Sequence, residues 1–210
     1  MADYRPPAAS GIPGPAPGAA DPLAEIRLDT QLAYQGVFFD VVRDNVRCPD
    51  GHVGVREYIR HPGAVMIVPL LDPDTLVLER QFRYSLGRSF IEMPAGKLEP
   101  GEDVLACARR ELREETGYEA ASWQRLGAFH NAIGYTDEKI EVYLARELSF
   151  VGGSTDAGEV LEVFTAPWRQ LLEWIDAGSV TDVKTIIGAH WLERLLSGRF
   201  TAEPAPSARA

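Results

Sequence analysis

The stretch that most constrains this chain is GKLEPGEDVLACARRELREETGY, residues 96–118. Its polar residues stand at fixed intervals. Gly96 is followed after five residues by Glu102, and after seven more by Arg110-Glu111-Leu112-Arg113-Glu114-Glu115-Thr116-Gly117-Tyr118. Residues 103–116 predict one helix: Leu, Ala, Arg and Glu are good helix formers, acids occupy the first turn, and Gly117 supplies a stop. On that helix Glu111, Glu114 and Glu115 fall at i, i+3 and i+4, so three carboxylates share a face. Like charges one turn apart cost about 0.2–0.5 kcal/mol per pair. A hard divalent cation would turn that repulsion into attraction. The plainer alternative is a solvated helix face, with Arg109, Arg110 and Arg113 interleaved to balance the acids.

The full spacing, G-x5-E-x7-R-E-U-x-E-E-x-G-U with U a bulky apolar residue, resembles the signature of the Nudix hydrolases. Tyr118 is the soft departure, since an aliphatic side chain is commoner there. The resemblance implies an α/β fold, a mixed sheet in an α/β/α sandwich. It also implies hydrolysis of a nucleoside diphosphate compound with Mg2+, or Mn2+ in its place. Glu111 and Glu115, one turn apart, are the expected metal ligands, and the family's backbone carbonyl ligand falls on Ala95. Glu114 would ligate as well, or hydrogen-bond a water beside the metal. Gly96, Glu102 and Arg110 take structural roles, with Glu102 opposite Arg110.

Along the chain, residues 1–21 are rich in Pro, Ala and Gly and predict a disordered tail, as do residues 202–210. Residues 22–61 predict a β extension, with a turn at Pro49-Asp50-Gly51. The main domain spans 62–201. It opens with GAVMIVPL, a buried-strand pattern, then TLVLERQFR and SFIEM, and the acidic helix follows. Further strands are expected at SWQRLGAFHNA, KIEVYLARE and VLEVFTA. Two helices close the chain. One has Pro167 in its first turn and a stripe of Trp168, Leu171, Leu172 and Ile175; the other covers about 182–196. His190 in the last helix reads as a packed or surface residue rather than a ligand.

LVLERQFRY, FIEMPAGKLEPGE and DVKTIIGAHWL look like the ADP-ribose pyrophosphatase branch of the family. That resemblance implies cleavage of ADP-ribose to AMP and ribose 5-phosphate by a homodimer that exchanges its N-terminal sheets. The alternative is another nucleoside diphosphate sugar, such as GDP-mannose, or a dinucleotide. A non-catalytic nucleotide sensor is the third reading, and the intact glutamates argue against it. The branch carries its catalytic base on a loop after the motif. Here that loop is residues 132–138, which puts Glu138 in the base position, ahead of Glu141 and then Asp137. Ile133 departs from the branch's usual Pro. Arg56 and Arg83 occupy the substrate-binding positions, where guanidinium forks suit phosphate oxygens. Phe38 or Phe39 would either stack on adenine or pack in the core.

A net charge of −10 argues against nucleic acid as a partner. Cys48 and Cys107 lack zinc-type spacing. The longest apolar run, residues 63–71, is far short of the roughly 20 residues a membrane span needs. With neither a span nor a signal peptide, a cytoplasmic protein is expected.

Overall fold

The computed structural model describes residues 20–153, 158 and 160–205. The expected N-terminal tail, up to residue 19, and residues 206–210 of the C-terminal one lie outside these. The chain divides into two units, Met1–Arg60 and His61–Ala210.

In the first unit, β1 (Ile26–Gln35), β2 (Asp40–Arg47) and β3 (Val53–Arg60) form an antiparallel sheet in the order β1-β2-β3. The turn between β2 and β3 closes as the Pro-Asp-Gly sequence dictates. Cys48 N–H donates to the His52 carbonyl, and Gly51 takes φ +87°. The sheet is pinned by one buried carboxylate. Asp44 on β2 accepts from Thr30 Oγ1 of β1 at 2.7 Å and from the Tyr58 hydroxyl of β3 at 3.3 Å.

The second unit holds β4 (Ala64–Pro69), β5 (Thr75–Arg83), β6 (Arg88–Glu92), β7 (Ala95–Lys97), α1 (Val104–Thr116), β8 (Tyr118–His130) and β9 (Lys139–Phe150). β10 (Leu161–Pro167), α2 (Trp168–Asp176), α3 (Val183–Leu196) and β11 (Glu203–Pro204) complete it. One sheet runs β11-β8-β9-β4-β7, a second β10-β5-β6. Only the β4–β9 pairing is parallel, so the larger sheet is mixed.

Strand β4 explains the layers. Its six residues are all buried, because both faces of a strand beside a parallel partner are covered. Val65 and Ile67 pack with Leu105, Cys107, Ala108 and Leu112 of α1. Ala64, Met66 and Val68 pack the other way, with Leu76 and Leu78 of β5, Leu171 of α2, and Ala189 and Leu192 of α3. Each fully buried leucine contributes about 1.5–3 kcal/mol. The α/β/α arrangement follows from these two cores.

Three local expectations need correction. Asp103 is not in the first turn of α1 but caps it, accepting from Leu105 N and Ala106 N at 3.0 Å. Pro167 likewise stands just before α2, with extended ψ of 138°. Within the C-terminal stretch expected to be unstructured, Glu203 and Pro204 pair with Arg125 and Gln124 of β8. Phe200 and Ala202 bury apolar surface against the core, and Arg125 holds Glu203 at 3.2 Å. The tail is therefore anchored through 205. No helix among the described residues is long and apolar enough to cross a membrane.

Candidate active site

Helix α1 presents its acids to β7, which lies just before it in sequence and beside β4 in space. The organising side chain is Arg110. Its Nε and Nη2 donate to the two oxygens of Glu102 at 2.9 and 3.0 Å, and its Nη1 donates to Glu111 at 2.8 Å and Glu114 at 3.0 Å. Those bonds hold the Glu102 carboxyl down to about 2, against the opposing pull of its partial burial. They raise Arg110 above its ordinary range. Glu102 also accepts from the Glu99 amide at 3.0 Å, which ties the loop before α1 to the helix. Cys107, fully buried one turn before Glu111, has its thiol pushed up by burial and is a packing residue.

Glu115 is 6% exposed and turns the other way, accepting from the Ala95 amide at 2.9 Å. The bond Ala95 makes to the helix is thus from its N–H rather than its carbonyl. Gly96 supplies the clearance. A Cβ there would fall 1.9 Å from the Glu111 carboxylate, so only glycine lets α1 approach this closely. Gly117 ends the helix in the left-handed region at φ +76°, and Tyr118 packs edge-on against Phe150 at 5.3 Å.

Among the described residues, no three acidic, His or Cys side chains stand in metal-ligand arrangement. Arg110 engages Glu111 and Glu114, while Glu115 is drawn to the Ala95 amide. The chemistry of the set nevertheless fits a hard divalent ion. Three carboxylates and a backbone segment offer oxygen alone, and the missing Cβ of Gly96 leaves Glu111 room to act.

Beside this cluster a pocket of about 240 Å³ is lined by Ala95, Gly96, Lys97, Asn131, Glu138 and Lys184, among others. Glu138 precedes β9 at the end of the 131–138 loop. Its Oε2 accepts from Asn131 Nδ2 at 2.7 Å, and His61 Nδ1 lies 3.6 Å from its Oε1. The other two carboxylates considered as bases are engaged elsewhere. Glu141 lies between Arg125 at 2.9 Å and Lys139 at 2.5 Å. Burial pushes its pKa up, but these two cations outweigh it and leave the pKa lowered. Asp137 accepts the His61 amide at 2.8 Å.

Of the two expected substrate arginines, Arg83 belongs to the second unit. It forms a fork with Glu92, Nε to Oε1 at 2.7 Å and Nη2 to Oε2 at 2.6 Å. Arg56 belongs to the first unit, where Glu25 holds it through Nε at 2.9 Å and through Nη2. Phe38 and Phe39 meet edge-to-face at 4.7 Å, and Phe38 is exposed.

Sequence reasoning assigned no role to Asn131, His61, Glu92 or Lys184. A signal existed for Lys184: a cation in the first turn of a helix opposes the helix dipole and so needs an acidic partner. No comparable signal marked the others.

Residues 60–192 match the NUDIX domain. The chain is 35% identical over 173 residues to an ADP-ribose pyrophosphatase of Bacillus subtilis, covering 81% of this chain and 94% of that protein. It is 34% identical over 171 residues to a methanol dehydrogenase activator of Bacillus methanolicus, with 80% and 92% covered. A crystal structure of an ADP compounds hydrolase superposes with a TM-score of 0.75 at 24% identity, covering 83% of this chain and 95% of that one. With the acidic helix, the glycine clearance and the mixed sheet in place, this chain belongs to the Nudix family and is a Nudix pyrophosphohydrolase.

Proposed function

We propose that the enzyme hydrolyses the pyrophosphate of ADP-ribose to AMP and ribose 5-phosphate, with Glu138 as general base. The observation that carries this reading is the pocket that joins Glu138 to Ala95 and Gly96, the backbone over which the α1 carboxylates lie. Similarity over most of the chain to an ADP-ribose pyrophosphatase supports the choice of substrate.

Glu111, Glu115 and the Ala95 carbonyl would hold Mg2+ or Mn2+, with Glu114 beside them. Such an ion offsets phosphate charge and makes water more acidic when bound. The chain's own residues do the rest. Glu138 takes a proton from the attacking water as a new P–O bond forms, and the bridging P–O bond breaks with its electrons passing to the leaving phosphate. Asn131 is bonded to Oε2 of Glu138, and Oε1, which has His61 Nδ1 at 3.6 Å, is the oxygen that accepts that proton. Glu141 is a poor base here because two cations stabilise its ionised form. Arg83 and Arg56 contact the substrate's phosphates.

The enzyme works as a homodimer through its N-terminal sheet. Every residue of β1 is exposed in the single chain, including Ile26, Leu28, Leu32 and Tyr34, which favours burial against a second copy. Light scattering on a chain truncated through Arg60 should show monomers without adenine-nucleotide binding, whereas removal of residues 1–20 should change neither. A monomer with full activity refutes the exchange.

The substrate is tested by identifying products from a panel of ADP-ribose, GDP-mannose and dinucleotides with Mg2+ and with Mn2+. ADP-ribose should give the highest kcat/KM and yield AMP. Preference for GDP-mannose would overturn the assignment while leaving the pyrophosphatase chemistry intact.

A further inference from the structure

Glu92 ends β6, three residues before Ala95, and is 2% exposed. Two cations from distant parts of the chain share its carboxylate: the Arg83 fork from β5 and Lys184 Nζ from the first turn of α3. Lys184 also lies 2.9 Å from Asp182, the residue that caps α3. The same Asp182 accepts from Thr185 Oγ1 at 2.6 Å, and Thr185 Oγ1 in turn accepts the Met93 amide at 2.9 Å. Segment 92–93 and the start of α3 are therefore tied together at two points.

This arrangement is costly. Burying an ion pair gains little over apolar residues of the same volume, and often loses to them. Lys184 additionally faces the positive end of the α3 dipole. Glu92 itself is pushed toward neutrality by burial, and only the bonds from Arg83 and Lys184 keep it charged. What the arrangement does achieve is direction. Two of the five N–H donors of Arg83 are fixed on Glu92, while the side chain stays 40% exposed. A long, otherwise mobile guanidinium is thereby held in one orientation before substrate arrives, which lowers the ordering cost of binding.

We infer that Glu92 is a positioning residue that aims Arg83 at the substrate's diphosphate, with Lys184 as the clamp that fixes Glu92. The inference rests on the reading of Arg83 as a phosphate contact. It assigns work to a carboxylate that touches neither metal nor substrate.

The test is a double-mutant cycle on the full chain with ADP-ribose, using Arg83→Ala, Glu92→Gln and the double variant. Each single variant should raise KM about tenfold, the size of one lost charge-assisted bond. kcat and the Mn2+ affinity of the free protein should change by less than about twofold. In the Arg83→Ala background, Glu92→Gln should add almost nothing to KM, which a general loosening of the fold would not reproduce. If Glu92→Gln does not fold, Glu92→Gln with Lys184→Met removes one charge of each sign and is read the same way. A raised KM in that variant, absent on the Arg83→Ala background, supports the inference. Wild-type KM in either Glu92 variant overturns it, as does a full tenfold addition on Arg83→Ala. A wild-type KM in Arg83→Ala itself removes the phosphate-contact reading and the positioning role together; sensitivity to Arg83 alone removes only the latter.

Discussion

The two halves of the candidate site are built on opposite plans. On the α1 side the charged groups lie within residues 102–115, and one guanidinium, Arg110, gathers three of the four glutamates. On the other side, His61, Asn131 and Glu138 meet through a loop and a strand edge, while Glu92 and Lys184 meet through a helix start. A local cluster tolerates disturbance elsewhere in the fold, because its members sit on one helix and its own preceding loop. A side assembled from distant segments depends on packing, and changes remote from the chemistry should reach it.

The sharpest way to break this contrast is at Glu138, the proposed base. Glu138→Gln should lower kcat by about 10²–10⁴ with KM and metal affinity nearly unchanged, as measured by steady-state kinetics and Mn2+ titration. If that variant keeps its kcat while Glu141→Gln or Glu114→Gln loses it, the base moves to the other residue. On the α1 side, Glu115→Gln should cost about a hundredfold in turnover, and chelation should abolish it. Full activity in excess EDTA would remove the metal role altogether.

Smaller effects test the packing difference. At Gly188, α3 crosses β4 so closely that a Cβ would fall 2.7 Å from Met66 Cε and from Met93 Sδ. Gly188→Ala should destabilise by about 1 kcal/mol, at the low end for overpacking because both neighbours are flexible methionine ends. Its effect should appear in KM as well as in thermal unfolding, since α3 carries Lys184. An unchanged KM would show that the α3 side is as self-contained as α1.

The smallest effect concerns Glu102, which Arg110 holds down to about 2 in the folded chain. An unfolded glutamate titrates near 4.3. The stabilisation from this pairing is therefore complete above about pH 5 and is lost as pH falls through the folded value near 2. Glu102→Gln should lower Tm at pH 7, and the gap from the unaltered protein should narrow steadily as pH falls from 5 toward 3. A gap that does not vary with pH would mean that shape, not charge, ties the loop to the helix.

What the sequence by itself determined was whatever depends on neighbours along the chain. The α1 helix and its stop, the turn at 49–51 and the buried strand β4 follow from spacing and local conformational preference. The opposition of Glu102, in the loop before the helix, and Arg110 came from the family resemblance. Tertiary structure decided the rest. It tied Glu141 to Arg125, because the pairing of β8 with β9 sets Arg125 opposite Tyr143 and so diagonal to Glu141, and only strand pairing puts it there. It drew Glu203 and Pro204 out of an apparently featureless tail, because β8 offered them an edge. It also brought Glu92 to Lys184, 92 residues away, through the close crossing that Gly188 allows. The physical reason is the same in each case. The free energy of these contacts resides in burial and in partners that meet only after the sheet has formed, and no local pattern along the chain encodes a partner that distant.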